Sequence, residues 1–386
     1  MTNPPDASSQ KRNSSAHAGF DLNVMQLNAW LIPVRPAFPA CLDFHAFRRA
    51  RRLALWFEEQ VAEKSLDIAI FQEVWSPWRS FVACTIHSIF CCSLFGRHFI
   101  EESVQKALPY FTKVHGSIPC DCSRRFFDSG LLIASRFPII EEKFAIFPSG
   151  SPHDALSSKG ALVVALRRPD SGGIVIVCSS HLDAGEDSDF KIKQLRITLQ
   201  LMHDFTAFVR TKYPREEVCA TIFGSDMNID GIEFWSNSNA YACARQILEQ
   251  SGFVDAWTLT DRKLPSRTDM KNKNYTPDLH PQLGITSDQH DCVKRLDYIW
   301  VCVGAMGGAI ASRPKQQEMR TRVEGETQLN EGVLWRSSAS MRQDVDKALR
   351  NGEHKHAKKL AMKIDLHDRE IRLSDHAAVF AHLHFS

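Results

Sequence analysis

Residues 221–231 read TIFGSDMNIDG, an apolar run that ends abruptly in an acid and an amide two residues apart. Side chains two apart on a strand face the same side, so Asp226 and Asn228 are expected to point together into one pocket at the strand's end. Asp, Asn and Gly are also ordinary turn residues, and alone this stretch reads more simply as a strand leaving the core through a turn. The rest of the sequence favours the first interpretation.

The composition limits the classes of partner. The 386 residues are 44% hydrophobic and 24% charged, which suffices for a large core in one domain or two. The formal net charge of +2 gives no whole-chain field that would attract a polyanion, although a local basic groove is compatible with it. Nucleic acid is therefore permitted as a partner and not indicated.

The N-terminal and cysteine patterns bear on location. Residues 1–19 are polar, lack the apolar core of a secretory signal and predict a disordered leader. The eleven cysteines lack the paired C-x-x-C spacing of a structural zinc site. Residues 81–95 are apolar but shorter than the about 20 residues of a membrane span, which favours a buried helix over a membrane-dipping one. We expect an intracellular protein, cytoplasmic or peripherally membrane-associated, with neither signal peptide nor transmembrane span.

The spacing of apolar residues predicts strands that alternate with helices. Strands are predicted at 20–28, 67–75, 129–135, 161–166, 173–182, 221–226, 295–301 and 374–383. Helices are predicted at 44–63, 190–213 and 241–250. The arginines of the first helix, Arg48, Arg49, Arg51 and Arg52, are interpreted as a solvated face. This order predicts an α/β sandwich, which we take as a single domain over residues 20–386.

One segment departs from this pattern. Residues from about 303 to 372 are polar, with few periodic apolar positions, and a loop of this length is unusual inside a compact domain. We interpret the segment as an insertion, partly helical near residues 340–362. Its Lys- and His-rich stretch at 351–359 is expected to be solvated, with binding to an anionic surface as the alternative.

Polar residues recur at the ends of six strand-like runs. They are Asn28, Glu73, His181, Asp226 with Asn228, Asp297, and Asp375 with His376. Any one of them could form a turn or be a satisfied structural group. Acids, amides and imidazoles that recur at so many strand ends indicate a catalytic site instead.

These residue types permit metal-assisted hydrolysis of a phosphate ester. Mg²⁺ binds one or two carboxylates and keeps several waters, and Glu73 can provide such a ligand with help from Asn28 or Asp226. A histidine with an Asp partner can deprotonate water, and a second histidine can donate to phosphate oxygens. Water is the expected nucleophile because no G-x-S-x-G motif is present. Zinc is disfavoured, since H-E-x-x-H is absent and most candidate ligands are oxygens.

As a set, the motifs resemble the endonuclease/exonuclease/phosphatase superfamily, whose fold is DNase I-like. The motifs are Leu27-Asn28, Gln72-Glu73-Val74, Ser180-His181-Leu182, Asp226-Met227-Asn228, Arg295-Leu296-Asp297-Tyr298 and Ser374-Asp375-His376. The resemblance covers the chain from about residue 20 onward, apart from the insertion. It implies a four-layer α/β/β/α sandwich with the site at one edge of two packed sheets.

Within that superfamily the chain is most similar to the neutral sphingomyelinases. The similar stretches are NAWLIP at 28–33, SSKGAL at 157–162, HLDAGED at 181–187 and QL at 194–195. Two details depart from the wider pattern. Ser225 is an extra residue between Gly224 and Asp226, and Ala377 stands where nucleases commonly have Pro after Ser-Asp-His. The second departure agrees with the lipid-hydrolysing branch.

The resemblance implies roles for individual residues. Glu73 would hold Mg²⁺, or Mn²⁺ in its place, with Asn28, Asp226 and Asp375 as further metal ligands. His376 would be the general base, although the sequence leaves open whether it or Asp226 takes the proton.

The remaining roles concern orientation and substrate. Asp297 would orient His376, and Asn228 would join Asp226 in positioning water, metal or phosphate. His181 would stabilise the pentavalent phosphate, and Lys159 would bind substrate together with Asn228 and His181.

The implied activity is Mg²⁺-dependent hydrolysis of sphingomyelin to ceramide and phosphocholine, with peripheral membrane contact. Two alternatives keep the catalytic residues and change the substrate: a nucleic-acid phosphodiesterase and a phosphoinositide phosphatase. A third is an inactive scaffold that binds lipid or protein. The sequence does not indicate an oligomeric state.

Overall fold

A computed structural model describes the chain at residues 19–31, 44–75, 95–116, 127–148, 150–151, 154–169, 173–231, 239–259, 287, 294–303, 347, 376 and 378–385. Nearly all of the predicted leader, of the apolar stretch 81–95 and of the polar insertion lies outside these residues. The predicted division of the chain into leader, domain and insertion therefore stays a prediction.

The described chain forms eleven strands and four longer helices. The strands are β1 Phe20–Asn28, β2 Ile68–Gln72, β3 Tyr110–Phe111, β4 Leu132–Ser135, β5 Ile139–Ile146, β6 Gly160–Arg167, β7 Ile174–His181, β8 Val218–Asp226, β9 Val254–Asp255, β10 Asp297–Val303 and β11 Val379–Phe385. The helices are α1 Phe44–Lys64, α2 Phe95–Ala107, α3 Ser188–Lys212 and α4 Ala240–Gln250. Two 3₁₀ turns, Asp154–Leu156 and Ala256–Leu259, complete the described elements.

The strands form two mixed sheets. The first has five strands in the order β11-β1-β2-β4-β3, and the second has six in the order β5-β6-β7-β8-β10-β9. Each sheet contains one parallel pair, β1 with β2 in the first and β7 with β8 in the second. The C-terminal ends of each parallel pair lie side by side, which places the predicted polar residues of neighbouring strands together.

Three separate apolar clusters show that the elements stack in four layers. One cluster joins α1 and α2 to the outer face of the first sheet, where Phe57 packs against Phe71. A second joins α3 and α4 to the outer face of the second sheet and includes Met202 and Phe205. The third lies between the two sheets and is rich in Val, Ile and Leu, as expected for strands buried on both faces. The predicted α/β/β/α sandwich is confirmed.

Several predicted elements differ in extent from those observed. β2 ends at Gln72 rather than at residue 75, because Glu73 has a positive φ of 55° that interrupts the extended backbone. β11 begins at Val379, five residues later than predicted from the 374–383 pattern. The sequence pattern did not predict α2, β5 or the two-residue strands β3 and β9. β5 is partly exposed along its length and contains a register shift, so its pattern does not alternate cleanly.

The prediction of a solvated arginine face on α1 is wrong for Arg49. Arg51 and Arg52 are exposed, but Arg49 is buried. Its Nη2 donates a hydrogen bond of 2.7 Å to the carbonyl of Trp30, and its guanidinium lies 4.3 Å from the centroid of the Trp30 ring. These contacts offset the cost of burying the charge, and they attach α1 to the loop that follows Asn28.

We predict that the close approach of the two sheets at Gly224 limits the size of that residue. A Cβ there would lie 2.6 Å from Cδ1 and 3.1 Å from Cγ2 of Ile70 in the facing sheet. Gly224→Ala should lower the free energy of unfolding by about 1–3 kcal/mol through overpacking. The loss should shrink when Ile70→Val removes the Cδ1 atom. Urea unfolding of the two single variants and the double variant tests this, and equal losses in both backgrounds would refute it.

Candidate active site

The predicted site residues meet at one edge of the sandwich. Asn28 ends β1, Glu73 follows β2, and His181 and Asp226 end β7 and β8 as direct neighbours in the ladder. Asp297 begins β10 and is the cross-strand partner of Asp226. The two sheets therefore present their polar strand ends to the same space.

The extra residue Ser225 leaves this register intact. β8 continues through Asp226, and the Ser225 hydroxyl lies 2.8 Å from the hydroxyl of Ser180 on β7. The extra residue therefore leaves the pairing of β7 with β8 unchanged, and Asp226 pairs with Asp297 of β10.

Asn28 holds two carboxylates side by side. Its Nδ2 donates to Glu73 Oε1 at 3.0 Å and to Asp226 Oδ2 at 2.8 Å. Its Oδ1 accepts a hydrogen bond of 3.0 Å from the backbone N–H of Trp30. In this arrangement Asn28 orients the two acids, while direct binding of a metal by Asn28 stays a prediction.

The backbone is strained where these side chains diverge from their strands. Trp30, Glu73 and Asn228 have φ values of 49°, 55° and 49°, in the left-handed region that costs side-chain-bearing residues free energy. Local bonds maintain each conformation. Leu31 N–H donates to the Glu73 carbonyl at 3.1 Å, and Asn228 N–H donates to Asp226 Oδ1 at 2.9 Å. The surrounding structure thus imposes the geometry of two predicted site residues.

His376 and Asp297 form a close pair. His376 Nδ1 lies 2.7 Å from Asp297 Oδ2, and both side chains are buried. A carboxylate only accepts hydrogen bonds, so Nδ1 carries the proton and Nε2 is directed elsewhere. His376 Nε2 lies 3.9 Å from Asp226 Oδ2. The predicted orientation of His376 by Asp297 agrees with this geometry.

A buried polar network that sequence reasoning missed supports this pair from behind. Gln26 Nε2 donates to Asp297 Oδ1 at 2.9 Å and to Gln72 Oε1 at 2.6 Å. Gln72 Nε2 donates in turn to Ser179 Oγ at 3.1 Å, which links the two sheets. The available signal was a polar residue at an inward position of an apolar strand, since Gln26 shares its strand face with the buried Val24.

His181 is held next to a buried lysine. Lys159 Nζ lies 3.1 Å from His181 Nε2, 3.0 Å from the carbonyl of Leu182 and 2.9 Å from Asp154 Oδ2. An ammonium group only donates, so His181 Nε2 accepts and the imidazole is neutral. Burial, and then the positive charge of Lys159, lower the pKa of His181 from 6.5 to about 3.

A second lysine, which the sequence reading did not identify, contacts the same region. Lys191 lies in the first turn of α3, is buried, and donates from Nζ to the carbonyl of Asn228 at 2.7 Å. Burial lowers its pKa. Lys191 thereby anchors the strained backbone of Asn228, whose Nδ2 donates to the Leu182 carbonyl at 3.1 Å.

Acidic oxygens and one imidazole are close enough to share a cation. Asp226, Asp297 and His376 each offer a ligand atom, and these atoms lie within 4.8 Å of one another. Glu73 adds a further carboxylate, 3.8 Å from His181 Nε2, which itself lies 3.5 Å from Asp226 Oδ2. The structure therefore brings together the predicted acids, amides and imidazoles, except Asp375, which lies outside the described residues.

Known proteins similar in sequence are sphingomyelinases. Rat sphingomyelin phosphodiesterase 3 is 33% identical over 129 residues, 31% of this chain and 20% of that protein. Sphingomyelinase C of Bacillus cereus is 28% identical over 144 residues, 36% of this chain and 42% of that protein. A Dictyostelium discoideum sphingomyelinase is 22% identical over 244 residues, 53% of each chain. The chain thus spans about half or less of these relatives' lengths, and no protein-family model matches it.

Solved structures agree on the fold. Sphingomyelinase C from Streptomyces griseocarneus has a TM-score of 0.50 at 17% identity, covering 94% of this chain and 99% of that one. An endonuclease/exonuclease/phosphatase protein from Beutenbergia cavernae has a TM-score of 0.51 at 16% identity, covering 95% and 72%. The chain is therefore similar in sequence to sphingomyelinases over part of its length, and it has the DNase I-like fold of these solved structures.

Proposed function

We propose that this protein is a Mg²⁺-dependent phosphoric diester hydrolase that converts sphingomyelin to ceramide and phosphocholine. The observation that carries the proposal is the position of Asp226, which lies between the His376–Asp297 pair and the Asn28–Glu73 pair. The His376–Asp297 pair, which can act as a base, thus lies next to carboxylates that can bind a metal ion, and metal-assisted hydrolysis of a phosphodiester uses both. The sequence relatives named as sphingomyelinases support the lipid substrate over the alternatives.

The donor set fits a hard divalent cation. Glu73 and Asp226 present carboxylate oxygens bonded to the same amide group, and Asp226 is buried. Buried carboxylates held this close together favour a compensating positive charge, and oxygen ligands favour Mg²⁺ or Mn²⁺ over softer metals. Glu73 and Asp226 would hold the ion, with Asn28 and Asp375 as further predicted ligands. The bound ion would polarise a phosphoryl oxygen of the substrate.

His376 is the proposed general base. Its Nδ1 proton is donated to Asp297, which keeps Nε2 available to accept a proton from the attacking water. The negative charge of Asp297 then stabilises the imidazolium that forms. Gln26 keeps the Asp297 carboxylate in place through its hydrogen bond of 2.9 Å. We favour His376 over Asp226 as the proton acceptor because Asp226 already accepts hydrogen bonds from Asn28 and from the backbone of Asn228.

Lys159, His181 and Asn228 are proposed to bind the phosphate. Lys159 supplies a buried positive charge next to His181. The negative charge of a bound phosphodiester would raise the pKa of His181 and favour its donor form, which could then stabilise the pentavalent transition state. Asn228 would direct its side chain to the same place, held by Lys191 and Leu182. Peripheral contact with the lipid surface is part of the proposal, because the substrate resides there.

No helix among the described residues is long and apolar enough to cross a bilayer.

We predict that catalysis and metal binding can be removed separately. His376→Ala should lower the turnover of sphingomyelin vesicles by about 10²–10⁴-fold, the usual contribution of a general base. Glu73→Gln should raise the Mg²⁺ concentration needed for half-maximal activity and weaken Mg²⁺ binding measured by calorimetry. His203→Ala, a change at an exposed histidine on α3, serves as the matched control and should retain wild-type activity.

The same assay discriminates among the alternatives. Sphingomyelin, phosphoinositides and a labelled oligonucleotide are offered in parallel, and phosphocholine release should be the main signal. Cleavage of the oligonucleotide alone would leave the catalytic roles standing and overturn the lipid assignment. Absence of turnover on all three substrates would favour the scaffold.

The neutral, buried state of His181 predicts a pH-dependent stability. The pKa of His181 in the folded protein is about 3, below the ordinary value of 6.5. Between these two pH values its imidazole is protonated in the unfolded chain and neutral in the folded protein. Neutral His181 therefore contributes fully to the stability of the folded protein above its ordinary pKa of 6.5, and this contribution is lost as the pH falls below that value. Between about pH 6.5 and pH 5 the loss amounts to roughly 1–2 kcal/mol.

Urea unfolding in EDTA at pH 7 and pH 5 tests the contribution of His181. The wild-type protein should lose more stability on acidification than His181→Asn, because the variant carries no titrating group at that position. Equal losses in the two proteins would contradict the assignment of a depressed pKa.

A further inference from the structure

A buried arginine that takes no part in the candidate active site contacts the backbone next to Glu73. Arg97 lies in the first turn of α2, and its side chain is 3% exposed. Its Nε donates a hydrogen bond of 2.7 Å to Glu101 Oε1, one helical turn further on. Its Nη1 donates to the carbonyl of Val74 at 3.0 Å. The guanidinium thus joins α2 to the segment that follows β2.

Two acids compensate the buried positive charge of Arg97. Glu101 is half-buried, whereas Asp128 is buried and its Oδ2 lies 4.0 Å from Arg97 Nη1. A buried ion pair adds little net stability, because the desolvation of both partners opposes their attraction. The hydrogen bond to the Val74 carbonyl suggests a more specific role, since a charged donor forms a stronger hydrogen bond than a neutral one. We therefore examined what that carbonyl holds in place.

The backbone around Glu73 is fixed by hydrogen bonds on both sides. In the peptide group between Glu73 and Val74, the carbonyl accepts a bond of 3.1 Å from Leu31 N–H, and the N–H donates one of 2.9 Å to the Gly130 carbonyl. The next peptide group offers its carbonyl, that of Val74, to Arg97. Glu73 has a φ of 55°, and a disfavoured conformation of this kind persists only where the surrounding contacts impose it.

Asp128 extends the same arrangement to the neighbouring loop. Its Oδ1 accepts a hydrogen bond of 2.7 Å from Gly130 N–H, while its Oδ2 faces Arg97. Gly130 has a φ of 64°, which glycine adopts without the penalty of a Cβ. The Gly130 carbonyl is in turn the acceptor for Val74 N–H. The two charged side chains thus fix Val74 at its carbonyl and, through Gly130, at its N–H.

We propose that Arg97 is a positioning residue for the binding of Mg²⁺. By fixing the Val74 carbonyl, Arg97 maintains the left-handed backbone of Glu73, and this conformation keeps the Glu73 carboxylate beside Asp226. The inference rests on the proposed function, in which those two carboxylates hold the ion. Arg97 acts through the backbone and is not a ligand, because its guanidinium only donates hydrogen bonds.

Calorimetry of Mg²⁺ binding to the whole chain tests the proposal. Arg97→Gln should weaken binding about 10-fold, within the usual effect of residues that orient metal ligands. Loss of a positive charge near a cation site would by electrostatics alone strengthen binding, so weakening reports on the position of Glu73. Arg245→Gln is the matched control and should bind as the wild type does. Arg245 is exposed, and its Nε donates to Glu249 Oε1 at the same distance of 2.7 Å and the same spacing along a helix.

The activity assay should separate metal binding from catalysis. Arg97→Gln should raise the Mg²⁺ concentration needed for half-maximal turnover of sphingomyelin vesicles, while turnover at saturating Mg²⁺ stays close to the wild-type value. Arg97→Lys keeps a positive charge and a donor for the Val74 carbonyl, so it should recover part of the lost affinity. It also serves as the test variant if Arg97→Gln does not fold, as judged by urea unfolding in EDTA. Wild-type affinity for Mg²⁺ in the folded Arg97 variants would overturn the proposal.

A double-mutant cycle with Glu73→Gln shows whether Arg97 acts through Glu73. In the Glu73→Gln background, Arg97→Gln should weaken Mg²⁺ binding no further, and equal weakening in both backgrounds would contradict the inference. If Glu73→Gln binds Mg²⁺ as the wild type does, the proposed metal site fails and the role of Arg97 with it. Weakened binding in Glu73→Gln together with unchanged binding in Arg97→Gln would overturn the role of Arg97 alone.

Discussion

Hydrogen bonds between the two sheets at a single edge of the sandwich are the interaction on which the site depends. The space between the sheets is otherwise apolar, so a polar group buried there needs a hydrogen-bond partner. Asn28 meets this requirement for Asp226, and Gln26 meets it for Asp297. Both amides belong to β1, and both acids belong to the β8–β10 pair. The same hydrogen bonds therefore join the two sheets and align the acids.

The environment behind these acids is as important as the acids themselves. Lys191 and Arg49 are buried cations that donate hydrogen bonds to backbone carbonyls, and the carbonyls belong to Asn228 and Trp30. Each of those two residues has a left-handed backbone. The fold thus uses charged side chains to maintain conformations that the local sequence disfavours, which is common where geometry serves a site.

The sequence predicted the acids and imidazoles because they interrupt apolar runs at strand ends, where such residues have no role in packing. Glu73, Asp226 and Asp297 are of this kind. The four-layer fold was also predictable, because the set of motifs resembles a superfamily with that fold. Gln26, Gln72 and Lys191 are of another kind. Their hydrogen-bond partners are distant in the sequence, so a local pattern indicates at most that a polar partner is needed and not which residue supplies it. Arg49 was assigned to the solvent because it belongs to a group of four nearby arginines, and its contacts with Trp30 arise only in the folded chain.

The pairing of β1 with β11 also affects how the molecule folds. β11 contacts a strand more than 350 positions earlier in the chain, and such distant contacts are slow to form because a long loop must close first. Until then the outer edge of β1 has unpaired backbone groups, a surface to which other chains can add. His376 lies three residues before β11, so the same late event brings the imidazole to Asp297. The pairing of β11 with β1 therefore covers the outer edge of β1 and brings His376 next to Asp297.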